Sequence, residues 1–259
     1  MDLMHAVAGF LVGAMVGMTG VGGGALMTPI LVLLFGVVPA TAVGTDLWFA
    51  ATTKMVGGFM HHRKGSVDWE VLGRLCMGSL PAAVLTLLWL HLSGMNQVKN
   101  GIILTALGCV LILTAVAMIF RTRTQAWGKA IRMRAPARFK RAQPALTVLA
   151  GAILGFLVTL TSVGAGALGV VMLVYLYPLR MKPARLVGTD IVHAIPLTIV
   201  AGTGHLMMGN VNLGLLANLL VGSVPGVICG SLLGAKVPES LLRTAIAVVL
   251  TAVGVKLVL

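Results

Sequence analysis

VGTDLWFAATTKMVGGFMHH, residues 43–62, has a second version 144 positions later in VGTDIVHAIPLTIVAGTGHL, residues 187–206. The likeness continues at the same spacing. Gly65, Gly78, Ser79 and Pro81 return as Gly209, Gly222, Ser223 and Pro225. Upstream, TGVGGG at 19–24 faces TSVGAG at 161–166 at a spacing of 142, so a two-residue gap reconciles the halves. A duplicated unit of about half the chain, in a sequence this apolar, is the mark of a membrane transporter built from internal repeats.

Composition sets the class. Hydrophobic residues make up 58% of the chain and charged residues 10%, and the mean hydropathy is +1.04. Soluble domains carry charge at about 25% of positions. The three cysteines, Cys76, Cys109 and Cys229, lie in apolar segments with no ligand spacing and are expected to be small buried hydrophobes. No cleavable leader is expected, because Met1 and Asp2 supply no basic start before the first apolar stretch.

The net charge of +13 is concentrated. Arg121, Arg123, Lys129, Arg132, Arg134, Arg138, Lys140 and Arg141 lie in one acid-free run joining the repeats. That run reads as a cytoplasmic loop, residues 121–144, with 121–141 resting on anionic headgroups rather than on nucleic acid. Repeat one then covers 1–120 and repeat two 145–259.

Six segments have ordinary spanning length, roughly 42–60, 70–91, 98–120, 184–204, 213–234 and 240–258. Residues 3–35 and 145–176 are too long, since one straight helix of that size would reach about 45–50 Å. Each is interrupted by glycines: Gly20, Gly22, Gly23 and Gly24 in the first, Gly164, Gly166 and Gly169 in the second. Glycine disfavours a helix interior by about 1 kcal/mol per residue, so each cluster reads as a break between two half-helices that enter and leave on one face. Re-entrant hairpins also bring Arg180, Lys182, Arg185, Lys236 and Arg243 to the side of the central basic run, which the positive-inside rule requires. Each repeat then has three crossings, and an odd number orients the halves oppositely. The expected fold is an all-α polytopic membrane protein of two inverted repeats, each a Gly-broken re-entrant hairpin plus three transmembrane helices.

Irregular backbone at membrane depth survives only where protein or a water-filled cavity satisfies it. The breaks are therefore expected to line a substrate path, with free N–H groups at the start of each second half-helix attracting an anion. Gly22, Gly23, Gly24, Gly164 and Gly166 permit close approach, and Thr19, Thr161 and Ser162 supply hydroxyls. Thr45 and Thr189 of the VGTD pair join this substrate set. GxxxG spacing at Gly9, Gly13 and Gly17 reads as helix packing.

Asp46 and Asp190 occupy the same repeat position. Each could cap a helix or relay a proton during transport. On a helical wheel Lys54 lies about 80° and His61 about 60° from Asp46, one shared face. His193 follows Asp190 by three residues on one face, and His205 repeats His61. Lys54 either pairs with Asp46 or neutralises a bound anion. His193 stands where repeat one has Phe49. Adjacent His61 and His62 diverge on a helix, so no metal site is expected. Pro81, Pro196 and Pro225 read as bends.

GFLVGAMVGMTGVGGGALMTPIL at 9–31, AVGTDLWFAATTKMVGGFMHHRKGSVDW at 42–69 and the stretch 187–226 resemble the sulfite exporter TauE/SafE family of membrane transporters. The resemblance covers nearly the whole chain except the basic run. It implies movement, as an exporter, of sulfur-containing anions such as sulfite, sulfonates, sulfoacetate or thiosulfate across the bacterial cytoplasmic (inner) membrane, although the residues themselves do not set the direction. Residues and resemblance together predict a proton-coupled secondary carrier without cofactor. A passive anion channel or a carrier of a non-sulfur organic anion is the alternative. An intramembrane protease would need a nucleophile–base pair for which no sequence context is visible. The small-residue faces also suit a homo-oligomer.

Overall fold

A computed structural model describes residues 3–19, 25–63, 65–92, 96–134, 136–234 and 239–258. These fold into ten helices: α1 (Leu3–Thr19), α2 (Met27–Leu33), α3 (Pro39–Arg63), α4 (Trp69–Leu92), α5 (Asn96–Arg134), α6 (Pro136–Thr161), α7 (Ala167–Leu176), α8 (Pro183–Met207), α9 (Leu213–Gly234) and α10 (Glu239–Val258). Five of them, α4, α5 from Gly101, α6, α8 and α9 as far as Gly230, are long and apolar enough to cross a membrane. The chain is an all-helical polytopic membrane protein. Its outer surface is apolar, with Leu85, Leu88, Leu92, Val221, Ile228 and Val248 exposed, whereas Asp46, Asp190, His193 and His205 are buried. Cys109 and Cys229 also lie on the outer, exposed surface and Cys76 is half-buried, so the expectation of three buried thiols does not hold.

Both over-long segments are broken helices that double back. In the second, the Gln143 amide donates to the Leu176 carbonyl, and Thr147 Oγ1 and the Tyr177 hydroxyl lie 2.7 Å apart. The start of α6 and the end of α7 therefore sit at one level. In the first, the rings of His5 and Phe35 pack tilted by 35° with centroids 4.4 Å apart, at the positions matching Thr147 and Tyr177. The basic run differs from expectation. It is helical, the end of α5 and the beginning of α6, because Ala126, Lys129, Ala130 and Arg132 are good helix formers and no glycine cluster interrupts them. Pro81, Pro196 and Pro225 lie inside α4, α8 and α9 without ending them.

The repeats exchange their packing. α1 packs on α9 and α6 packs on α4, the same pairing with the halves swapped, while α3 meets α8 and α5 meets α10. Small residues allow the first two contacts. A Cβ on Gly151 would strike the Leu75 carbonyl, and one on Gly155 would strike Ser79. Their repeat counterparts Gly9 and Gly13 meet Leu219 and Ser223 in the same way. GxxxG spacing here is helix packing, with backbones in direct contact. Along α3 and α8 the contacts run antiparallel, since Gly44 faces His205 and Asn210 whereas Gly58 faces Ile191 and Ile195.

The close approach carries a prediction. Gly155→Leu forces α6 off α4 and is expected to destabilise the fold by about 1–3 kcal/mol or more, as overpacking does. Gly73, whose Cβ would meet nothing, is the control as Gly73→Ala. Size-exclusion profiles of the solubilised variants check it; a monodisperse Gly155→Leu peak equal to the control would sink the argument.

Candidate functional site

Asp46 and Asp190 are each the eighth residue of their helix, α3 and α8. Neither can cap the N-terminus of its own helix from there. Each instead faces the beginning of the returning half-helix of its own repeat. Asp46, 0% exposed, accepts from the Thr28 N–H at 3.2 Å and from the Thr28 hydroxyl, in the first turn of α2. Asp190, 1% exposed, lies against Gly169 in the first turn of α7, where any Cβ would collide with its Oδ1. The Gly166 N–H faces Asp190 without closing a hydrogen bond of ordinary geometry. Among the described residues neither oxygen of Asp190 has a hydrogen-bond partner. The two equivalent carboxylates thus differ: one accepts two hydrogen bonds from Thr28, the other none of ordinary geometry.

Lys54 joins them. Its ammonium donates at 2.7 Å to the carbonyl of Ala165, in the irregular segment between α6 and α7, and it acts electrostatically on both Asp46 and Asp190. Two carboxylates and one ammonium therefore share a site in the bundle, with the break at 162–166 as its wall. The break has unusual backbone. Gly164 and Gly166 have φ of 122° and 133°, and Ser162 has φ of 59°, the one non-glycine residue with positive φ among the described residues. The Ser162 side chain faces Asp46, and its Oγ closes no well-formed bond.

A side chain held in the left-handed region costs of order 1 kcal/mol, and such strain gathers at functional sites. Ser162→Gly is expected to raise the melting temperature, by about 1 kcal/mol of stability, while lowering transport through loss of the hydroxyl. Thermal unfolding beside uptake checks both, and a drop in stability would contradict the strain.

The other expected residues have local or cross-repeat partners. Thr161 Oγ1 donates to Leu157 and accepts from the Val163 N–H, closing the end of α6. Thr189 Oγ1 accepts from the Asp68 N–H at 2.9 Å, and Thr45 Oγ1 from the Asn212 N–H at 3.1 Å, the same contact with the repeats exchanged. Asp68 and Asn212 in turn cap α4 and α9 through Val71 and Leu215. His205, fully buried, donates from Nε2 to the Thr159 carbonyl near the end of α6. His193 Nε2 lies 2.9 Å from Ser79 Oγ, joining α8 to α4. Its Nδ1 has no partner among the described residues, so this serine–histidine pair lacks an orienting acid. Gly22, Gly23 and Gly24 lie outside the described residues. Thr19 and His61 fall at the ends of α1 and α3, but the described part of the structure does not extend to their side chains.

Sequence reasoning missed Thr28, Ser79 and the Ala165 carbonyl. Thr28 had no signal, since its repeat counterpart is Val170. Ser79 did: it recurs as Ser223. The two differ because Phe49 stands where His193 would be, and Ser223 Oγ is buried without a partner among the described residues.

On one face of the bundle, ion pairs clasp the loop before α4 to the loop before α8. Arg180 donates from Nε and Nη2 to buried Asp68 at 2.9 and 3.0 Å and from Nη2 to Glu70, and Arg74 holds Glu70 from the other side. The Glu70 hydrogen bond, with Asp68 beside it, holds the Arg180 guanidinium above its ordinary value.

Comparison with known proteins agrees with this architecture. The family described as Sulfite exporter TauE/SafE matches residues 5–257. A Bacillus subtilis protein, "Probable membrane transporter protein YjnA", is 40% identical over all of both chains. A second from that organism, "Probable membrane transporter protein YdhB", is 28% identical over 92% of each. "Probable membrane transporter protein MJ0441" of Methanocaldococcus jannaschii is 26% identical over 91% of this chain and 85% of its own. No solved structure matches.

Proposed function

The chain belongs to the sulfite exporter TauE/SafE family of membrane transporters, and from that premise we propose that it is a proton-coupled secondary carrier that exports a small sulfur-containing anion across the bacterial cytoplasmic membrane. The observation that carries the reading is the Asp46–Lys54–Asp190 group beside the break at 162–166. The start of α7 presents backbone N–H groups and the positive end of a helix dipole, a natural seat for an oxyanion. The Asp190 carboxylate faces that seat. Carboxylate and substrate are both anions and compete for it. A proton on Asp190 removes the competing charge, and Lys54 then balances the incoming anion. Proton and substrate thereby become linked without a further device.

The halves are inverted repeats in this reading, supported by the antiparallel contact of α3 with α8 and by the exchanged packing of α1 with α9 and α6 with α4. Alternating access would then rock one half against the other around the carboxylate site.

Proteoliposomes test the proposal. Uptake of sulfite, thiosulfate and sulfoacetate is compared with that of a non-sulfur anion, with and without a pH gradient. Saturable, gradient-driven flux of one sulfur anion supports it. Flux that follows the electrochemical gradient without saturation indicates a passive channel, and indifference to sulfur anions removes the substrate class.

A further inference from the structure

A cluster of basic side chains lies away from the carboxylate group. Where the basic run meets the base of the second hairpin there is a cavity of about 240 Å³, lined by Arg132, Lys140, Gln143, Tyr177, Leu179 and Arg180. Among the described residues its wall carries three cations and no acid. Arg132 Nη1 is buried and has no hydrogen-bond partner among the described residues. A guanidinium nitrogen buried without an acceptor is costly, and the cavity beside it is where an acceptor fits.

The two arginines are held in place. Arg132 lies over the Phe139 ring at 5.9 Å and Arg180 over the Tyr177 ring at 5.8 Å. Tyr177 is itself fixed by Thr147 and Arg74. Asp68 and Glu70 occupy Nε and Nη2 of Arg180 on its other side, which leaves Nη1 for a ligand. The Gln143 amide, bonded to the Leu176 carbonyl, closes the floor. Gln143 and Tyr177 mark the polar end of the hairpin, the depth at which headgroups stand against a membrane protein.

We propose that this cavity binds a phosphate group, with Arg132 and Lys140 supplying the net positive charge. Arginine suits phosphate oxygens through its planar fork, and basic pockets between helices on the cytoplasmic side suit anionic lipid headgroups. Headgroup phosphate and free phosphate share this chemistry.

Binding to the purified full chain in neutral detergent separates the two sources, read by fluorescence of exposed Trp127, just over one turn from Arg132 on α5. The probes are dioctanoyl phosphatidylglycerol, sodium phosphate and, as a net-neutral control, dioctanoyl phosphatidylcholine. Saturable binding of phosphatidylglycerol alone assigns a lipid headgroup; saturable binding of phosphate assigns a soluble ligand. In either case Arg132→Gln should weaken binding at least tenfold and Lys140→Gln several-fold. Arg138→Gln, which removes the same charge outside the cavity, should leave it unchanged. Absence of saturation by both anionic probes, equal binding of phosphatidylcholine, or wild-type affinity in Arg132→Gln and Lys140→Gln together would overturn the proposal.

Discussion

Lys54→Met is expected to abolish transport and to destabilise the protein by about 3–5 kcal/mol at neutral pH or above, the range for breaking a buried charge pair by removing one partner. Lys54 is the cation that acts on both Asp46 and Asp190, and its ammonium also holds the Ala165 carbonyl of the break. Methionine keeps the length of the stem and removes the charge, so the packing loss is small. What remains is two fully buried carboxylates that have lost their counter-charge. Protonation removes the cost of burying those uncompensated charges. The sign of the pH dependence follows: the defect is largest where both carboxylates are ionised and shrinks as pH falls and they take up protons.

Melting temperatures of wild type and Lys54→Met at pH 8 and pH 5 check this, with the gap expected to narrow at pH 5. The triple variant Lys54→Met, Asp46→Asn, Asp190→Asn separates structure from function. It removes all three charges together and should recover most of the lost stability, since an apolar or neutral replacement of a buried ionic group is often no less stable than the original. Its transport should stay at background. A pH-independent stability gap, or wild-type flux in Lys54→Met, would show that the three groups do not form a charge unit.

Much of this site was legible in the sequence, because duplication reports on position. VGTD at 43 and 187 pointed to the two carboxylates, and the second glycine cluster pointed to the break at 162–166, while the first cluster lies outside the described residues. The His5–Phe35 and Thr147–Tyr177 contacts bring the two ends of each over-long segment together. Duplication is silent wherever the repeats have diverged, and there the structure supplied what was missing. Thr28 binds Asp46, but its counterpart Val170 has no hydroxyl, so nothing in the repeat pattern singled it out. Thr45 and Thr189 were visible as a pair, yet their cross-repeat partners, the N–H groups of Asn212 and Asp68, are backbone atoms that leave no trace in residue identity. The basic run, whose charge pattern suggests a loop, is helical for a different reason. Charge placement reports on membrane sidedness and carries little information about backbone state, while the helix propensities of those same residues pointed to a helix.

Asp46→Asn and Asp190→Asn are expected to fail in different ways, although the two residues are repeat counterparts. Asp46 accepts two hydrogen bonds from Thr28, whereas among the described residues Asp190 accepts none. Asparagine at 46 can keep one carbonyl acceptor for Thr28 but loses the charge-assisted strength of those bonds, a cost of about 1 kcal/mol or more. The Asp46 variant should therefore show a lowered melting temperature with residual flux that still responds to a pH gradient. Asparagine at 190 breaks no hydrogen bond of ordinary geometry among the described residues and should leave stability near that of wild type. It cannot bind and release a proton, and it no longer competes with an anion at the start of α7. Its substrate affinity should therefore rise or hold while the response of flux to the pH gradient is lost, leaving only exchange of one anion for another. Counterflow and gradient-driven uptake, measured side by side in the same proteoliposomes, distinguish the two. If Asp190→Asn retains pH-driven uptake and Asp46→Asn loses it, the tethered carboxylate carries the proton, and Thr28 becomes the group that must release it in each cycle.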